Sequence, residues 1–408
     1  MMRPLPSRKQ LDFLDWEFGA FFHFGIRTFY PGHSDWDGID MPAAGFLPEE
    51  LDCRQWLRAV KRAGATYAIM TCKHHDGFAL WQSEVSDYGV ADSPWRGGKG
   101  DVVKEFTDAC RAEGMKTGLY YSSAQWGGSV PFDNAEAYDE YFLTQITELL
   151  TRYGKIDYLW FDGCGSEGHE YDKERIVRTI RSLQPDILTF CNPDWSPDVR
   201  WIGNEDGFAG LPNLLVSERT VYGREGNAVR EKAFLPAECD CRIRKHWFWD
   251  DDGDTLKTAD ELFGMYLASA GRGSNFLLNI GPDPRGLLPE ADVERLAELG
   301  DRIREHFSSE LPFRISAEDG NAVTLEAEGN AGLARTVVLE EDLSGGQAIE
   351  SFEVYAALPV NRDQRILLIR GTTVGHKRIL SIPPMRTPEI TVTFRGEGAS
   401  LKRISVFA

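Results

Sequence analysis

Short apolar runs alternate with amphipathic segments from about residue 15 to residue 305. The strand-like runs are 18–24, 67–72, 117–122, 156–161, 187–191, 200–203, 234–239 and 275–280. Between several of them lie segments with helical spacing of apolar positions, clearest at 54–63, 101–114, 135–153, 173–183 and 259–270, with a last one at 293–307. Strands that alternate with helices imply parallel βαβ units, and eight of them at this length predict an irregular (β/α)8 barrel. The irregularity is expected between strands five, six and seven, where no good helix is visible. After the helix at 293–307 the period changes to two. VTLEA, TVVLEE, FEVYAAL, RILLIRG, ITVTF and ISVFA, separated by glycine-rich turns, predict a small antiparallel β-sandwich. The expected division is a barrel domain over 1–312 and a sandwich domain over 313–408.

Composition adds little to this and excludes some things. The chain has 408 residues, 42% hydrophobic and 27% charged, as a globular protein of two domains would. Its net charge of −19 argues against nucleic acid as a partner and disfavours an anionic membrane surface. No run approaches the roughly 18 apolar residues of a spanning helix. The N-terminus, MMRPLPSRKQLDFLDW, has no apolar signal-like core. Seven cysteines, an odd number set mostly within apolar runs, read as reduced and buried. A cytoplasmic protein is expected, unless a signal has been trimmed from a secreted or periplasmic one. The oligomeric state is not legible. SPWRGGKGDVV lacks the pattern of a phosphate loop, and Asp101 reads as the N-cap of the following helix.

In a parallel barrel, catalytic side chains project from the C-terminal ends of the strands. Strand one ends at His23, strand two at Lys73-His74-His75-Asp76, strand three at Tyr120-Tyr121-Ser122, and strand four at Trp160-Phe161-Asp162. The sixth run leads into Gly203-Asn204-Glu205-Asp206, and the seventh holds Glu238. Asp162 shares a face with Tyr158 and Trp160 by strand alternation and is followed by glycine, so it is placed to attack a substrate. If the chemistry is glycoside hydrolysis, a second carboxylate is needed. Glu205 is the first choice, with Asp206 and Glu238 as alternatives. Three histidines on one rim suit hydrogen bonding to hydroxyls. Adjacent residues of an extended chain point opposite ways, so His74 and His75 can both face the axis only if the strand ends in a bulge. Trp36, Trp81, Trp126, Trp160 and Trp201 flank strand ends and offer faces to a sugar ring, with core filling the equal alternative.

At these residues the chain resembles the α-L-fucosidases of glycoside hydrolase family 29. The matching segments include FFHFGIRTF, KHHDGFALW, GLYYS, YGKIDYLWFDG, RWIGNEDGFAG, PAECDCRIR, GRGSNFLLNIGPDPRG and GTTVGHKRIL. They span nearly the whole chain, and KHHDGF followed about ninety residues later by WFDG is a specific pair. The resemblance implies a retaining mechanism without metal or other cofactor, acting on a fucosylated oligosaccharide or glycoconjugate. It implies Asp162 as nucleophile, Glu205 of GNE as acid/base, and fucose binding by His23, His74 and His75. A tyrosine of GLYYS, Tyr120 or Tyr121, serves the same pocket. Asp35-Trp36 stands where the family has Glu-Trp, a shorter acid. Trp160 and Glu238 complete the expected contacts. RWIGNEDG and PAECD resemble the branch selective for fucose linked α-1,3 or α-1,4 to N-acetylglucosamine, whereas GLYYSSAQW resembles the less selective branch; a fucosidase of broader or α-1,2 selectivity is the alternative. Two rivals remain in view. A catalytically silent sugar-binding protein would lack one carboxylate, and a metal-dependent amidohydrolase-type barrel would need His-x-His after strand one.

Overall fold

The computed structural model describes all residues except 1–2, 33–35, 131, 224–226, 252–254 and 330–331. Eight parallel strands form the barrel: β1 (Phe18–Phe22), β2 (Tyr67–Lys73), β3 (Lys116–Ser122), β4 (Tyr158–Asp162), β5 (Leu188–Phe190), β6 (Arg200–Trp201), β9 (Ala237–Arg242) and β10 (Asn275–Asn279). They neighbour one another in chain order around the barrel, and β10 pairs back onto β1. A single parallel bridge, Phe190 to Val199, joins β5 to the approach of β6 and completes the ring.

Among the described residues, six helices pack outside: α2 (Cys53–Ala63), α3 (Val102–Glu113), α4 (Ala135–Arg152), α5 (Lys173–Leu183), α6 (Ala259–Ser269) and α7 (Glu290–His306). Their ends follow local chemistry. Asp52 accepts from the Arg54 and Gln55 amides to start α2, which Gly64 ends in the left-handed region. Asp101 caps α3 through the Lys104 amide, as its sequence position suggests. The expected irregularity has a definite form. Between β5 and β6 there is only a short 3-10 turn at Pro193–Trp195, and between β6 and β9 an antiparallel hairpin, β7 (Val216–Tyr222) and β8 (Ala228–Phe234).

Strands such as β1 and β2 are buried on both faces, as a parallel sheet requires, whereas the short β6 is not. Outward side chains such as Phe22, Met70 and Leu119 join the helices in the main core. Inward ones, Phe21, Tyr67, Ile69, Tyr120, Tyr158, Trp160, Leu188, Phe190 and Leu277, fill the barrel. A helix not read from the sequence, α1 (Arg8–Trp16), closes the barrel's N-terminal end by inserting Phe13 into that cluster. Gly19 is required by this filling, because a Cβ there would lie 2.2 Å from the Tyr67 ring.

The C-terminal strands form two antiparallel sheets. One has the order β11 (Phe313–Asp319), β12 (Ala322–Ala327), β17 (Glu389–Arg395), β14 (Ser351–Leu358) and β15 (Asn361–Gly371). The other has β16 (Arg378–Met385), β13 (Ala334–Glu341) and β18 (Leu401–Phe407). Val323, Val354 and Val392 of the first meet Val337, Leu380 and Val406 of the second in a separate core, so the layers form a sandwich. Among the described residues, no helix is long and apolar enough to cross a membrane.

Candidate active site

The C-terminal rim of the barrel collects the singled-out residues in layers. Deepest is Glu238, 1% exposed. It accepts hydrogen bonds from the Tyr67 hydroxyl (2.6 Å), the Tyr158 hydroxyl (3.0 Å) and Trp160 Nε1 (3.0 Å). Burial is the largest cause of its pKa rising to about 7, against the pull of those donors. The expectation that Glu238 contacts sugar, or serves as acid/base, is corrected: it stands in the second position of β9, in register with Asn275 at the start of β10. It is a structural carboxyl under the site.

A consequence for stability follows. The folded protein binds the Glu238 proton more tightly than the unfolded chain, whose glutamate titrates near 4.5. The stabilisation is full below that value and is lost as pH rises through about 7. Glu238→Gln is expected to remove up to about 3 kcal/mol of the loss in stability between pH 5 and pH 8. Denaturant unfolding of both proteins at the two pH values measures it. Equal losses in the two would mean that Glu238 does not titrate this way.

Above this layer lies Asp162, the last residue of β4. Its Oδ1 accepts from the Cys164 amide at 2.9 Å and its Oδ2 from the Tyr120 hydroxyl at 2.8 Å. Tyr120 stacks between Trp160 and His74, at centroid distances of 5.4 and 5.6 Å. This separates the two tyrosines. Tyr121 points the other way: its hydroxyl donates to Gln145 of α4 at 2.7 Å and accepts from buried Lys73 at 2.9 Å. Tyr121 is thus removed from the candidate site, because alternation along β3 puts it on the helix-facing side.

His74 and His75 both reach the rim. The pairing of β2 with β3 shifts register between Thr71 and Lys73, and this bulge supplies the condition that adjacent histidines need. His75 Nδ1 lies 2.5 Å from Ser122 Oγ, which donates its own proton to the Ala124 carbonyl at 2.6 Å. The hydroxyl therefore accepts from Nδ1–H, and Nε2 faces Asp162 Oδ2 at 3.7 Å. His23 Nδ1 lies 2.7 Å from Asn279 Oδ1. The Asn279 amide nitrogen donates to the Trp247 carbonyl at 2.7 Å, which fixes Oδ1 as the acceptor and Nδ1 as the donor. Burial lowers the His23 pKa to about 3 and drives that of His74 well below the ordinary value. Both imidazoles are neutral, which suits hydroxyl binding.

Glu205 lies on the loop after β6. Backbone bonds from Ile202 to Glu238 and from Gly207 to Asp240 tie that loop to β9. Glu205 and Asp162 line one cavity of about 540 Å³ with Trp160, Trp201 and Asp240. Glu205 is not buried. Its side chain is 43% exposed, and Arg242 Nη2 stands 3.6 Å from Oε2. Asp206 is exposed and its amide bonds to Asn204. Trp36 sits over the rim, 5.4 Å from His75 and 5.0 Å from Trp126 between ring centroids. Gly165, with φ of +75°, leaves room for the Trp36 ring, which a Cβ would meet at 2.0 Å. Trp81 is core, donating to Glu148 at 2.8 Å. Asp35 lies outside the described residues.

Several residues here had not been singled out: Arg242, Asp240, Asn279, Trp247 and Phe248. Trp247 packs on His23 at 4.8 Å and Phe248 on His74 at 5.0 Å. The Arg242 guanidinium lies over the Trp247 ring at 5.0 Å. Carrying the alternation on from Glu238 would have placed Asp240 and Arg242 on the same inward face.

Neutral imidazoles, aromatic walls and two carboxylates on one cavity suit an uncharged polyhydroxylated ring undergoing acid–base and nucleophilic chemistry. Comparison with known proteins specifies which. The α-L-fucosidase family model matches residues 4–306. The chain belongs to the α-L-fucosidase family. It is 35% identical to α-L-fucosidase 1 of Arabidopsis thaliana over 92% of this chain and 81% of that one. A solved glycoside hydrolase 29 family member from an unknown rumen bacterium superposes with a TM-score of 0.88 at 29% identity, covering 100% of this chain and 77% of the other. A Ruminococcus gnavus GH29 fucosidase, solved in complex with fucose, gives 0.86 at 25% identity over 100% and 95%. The activity is that of an α-L-fucosidase, a glycoside hydrolase.

Proposed function

We propose that this fucosidase removes terminal α-L-fucose by double displacement with retention, Asp162 acting as nucleophile and Glu205 as acid/base. The observation that carries the reading is the pair of hydrogen bonds that aim Asp162 into the cavity it shares with Glu205. In the first step a carboxylate oxygen of Asp162 bonds to the anomeric carbon. The bond to the departing oxygen breaks, and Glu205 gives that oxygen a proton. In the second step Glu205 takes a proton from water, whose oxygen attacks the same carbon, and Asp162 leaves as carboxylate. Two inversions return the α configuration. Tyr120 O–H and Cys164 N–H hold Asp162 in one orientation through both steps. A sugar filling the cavity excludes water from Glu205 and favours its neutral, proton-carrying form for the first step. Exposure beside Arg242 suits the carboxylate needed in the second. A cavity lined by Trp160, whose indole is tied to Glu238 beneath it, suits a chain end rather than a chain interior, hence exo action.

The substrate proposed is fucose linked α-1,3 or α-1,4 to N-acetylglucosamine. Its support is the RWIGNEDG and PAECD segments, together with exposed Trp201 and Phe208, which flank the Glu205 loop and offer apolar surface to further sugars. If contacts to a second sugar strengthen in the transition state, they raise kcat/KM for the branched glycan. Specificity constants on a Lewis trisaccharide, 2′-fucosyllactose and an aryl α-L-fucoside test this. The Lewis trisaccharide is expected to exceed 2′-fucosyllactose by about tenfold or more, as one or two added contacts would give. A clear preference for 2′-fucosyllactose would remove the linkage assignment. Release of β-fucose as the first-formed anomer, followed by NMR, would remove the retaining mechanism.

A further inference from the structure

Strand β9 places three ionisable side chains at three depths on its inward face. Glu238 is held by three donors below the cavity, and Arg242 reaches Glu205 at the rim. Asp240 lies between them. It is 4% exposed and lines the cavity that holds Asp162 and Glu205. Its Oδ1 accepts from Trp201 Nε1 at 2.7 Å. Trp201, on the neighbouring strand β6, is itself 46% exposed, so its edge is fixed by Asp240 while its ring stays open to solvent. The carboxyls that weigh on Asp240, Glu205 and Glu238, repel a further negative charge. Burial first, and then those neighbours, push its pKa up to about 8. At neutral pH Asp240 is a carboxylic acid with a proton to donate.

We propose that Asp240 and Trp201 form the wall of the cleft that holds the leaving-group sugar: the indole offers its face to the ring, and the carboxylic acid donates a hydrogen bond to an oxygen of that sugar. Asp240 is thus a binding and positioning residue, distinct from the proton donor to the departing oxygen. The proposal rests on the two-carboxylate reading of the site. An exposed indole next to a buried donor matches the way sugar rings are held, by an apolar face and by directed hydrogen bonds at their edge. The proton is present below about pH 8 and absent above it. Ionisation would remove the donor and add a negative charge where the leaving oxygen's sugar must sit. On its own strand Asp240 shares the inward face with Glu238 and Arg242; Asp162, Arg200 of β6, Glu205 and Glu218 of β7 line the same cavity, and among these the charges of Glu205 and Glu238 bear on it. Strand β10 sets Leu277 beside Asp240, with the amides Asn275 and Asn279 beside Glu238 and Arg242, and adds no charge there.

The test measures kcat/KM from pH 6 to 9.5 on an aryl α-L-fucoside and on whichever of the Lewis trisaccharide and 2′-fucosyllactose the unmodified site prefers. Cys164, which lines the same cavity, is replaced by Ser throughout. Asp240→Ala is expected to lose about tenfold or more on the oligosaccharide, as one buried hydrogen bond implies, and less than about threefold on the aryl fucoside. Asp240→Asn keeps a donor and an acceptor. It should stay within about threefold of the parent on the oligosaccharide at pH 7 and lack the parent's decline through about pH 8. Neither variant should show a burst on the aryl fucoside. Equal losses by Asp240→Ala on both substrates, an unchanged alkaline decline in Asp240→Asn, or a parent that cleaves only the aryl fucoside would each overturn this proposal and leave the assignments of Asp162 and Glu205 standing. A burst in Asp240→Ala that Glu205→Ala lacks would instead make Asp240 the acid/base and overturn the reading beneath it.

Discussion

Asp162→Ala is expected to lower kcat on the order of 10⁴-fold or more, the scale on which removal of a nucleophile acts. The loss should not reflect unfolding. The Asp162 side chain is 26% exposed and packs in no core cluster; Asp162 and Cys164 line an open cavity, so water can take the place of the carboxylate beside the Tyr120 hydroxyl and the Cys164 amide. Stability is therefore expected to change by about 1 kcal/mol or less, the net worth of such hydrogen bonds when water replaces one partner. The space left by the carboxylate admits a small anion. Azide added to Asp162→Ala or Asp162→Gly should attack the anomeric carbon from the same side and form the fucosyl azide of inverted configuration. Turnover near the unmodified rate in Asp162→Ala, by an enzyme whose unfolding profile is unchanged, would end the assignment.

Glu205→Ala is expected to divide substrates by the leaving group. A sugar alkoxide needs a proton as it departs, whereas a nitrophenolate does not. On a natural oligosaccharide kcat/KM should fall by about 10² to 10⁴, the usual contribution of a general acid. On a nitrophenyl fucoside the first step should survive. The second still needs a base, so nitrophenol should appear as a burst followed by slow release, and azide should speed the slow phase. Glu238→Ala, by contrast, removes the common acceptor of Tyr67, Tyr158 and Trp160, and its expected effect is destabilisation without any burst. A burst in a folded Glu238→Ala, with none in Glu205→Ala, would exchange the two roles.

Much of the barrel could be read from the chain because its strands are buried on both faces and bounded by amphipathic helices, so that each apolar run stands out. The hairpin β7–β8 escaped for the opposite reason. VSERTVY and AVREKAF carry charges on both faces, and neither has an apolar side to betray it. The run over 234–239 merged two elements: Phe234 ends β8, and β9 begins only at Ala237, after Leu235-Pro236. Pro236, which cannot join a ladder, was the available sign of that break. Missing it set the strand's end at Cys239, three residues early, and so hid Asp240 and Arg242 while promoting Glu238 to a rim it does not occupy. Helix α1 carried its own mark, Ser7 followed three residues later by Gln10, whose side chain accepts from the Ser7 amide, ahead of a segment too short to show a period.

Within the site, some facts depend on register between strands and are absent from any one of them. Tyr120 faces Asp162 because it pairs with Trp160, two residues before that aspartate on the inward side of β4. The bulge at the end of β2 likewise exists only relative to β3. The candidate residue types were legible because barrel chemistry gathers at strand ends. Their depth was not, because depth is a property of the closed ring.

The most direct measurement is to trap the covalent intermediate. A 2-deoxy-2-fluoro-L-fucosyl fluoride should ester-link to the nucleophile with loss of fluoride: the electronegative 2-substituent slows both steps, the good leaving group restores the first alone, and the ester accumulates. Peptide mass spectrometry then locates the label. A single fluorofucosyl adduct on Asp162, formed as activity is lost, is the result expected. A label on Glu205, Asp240 or any other residue, or inactivation that leaves Asp162 unmodified, would contradict the proposal that Asp162 is the nucleophile of a retaining fucosidase.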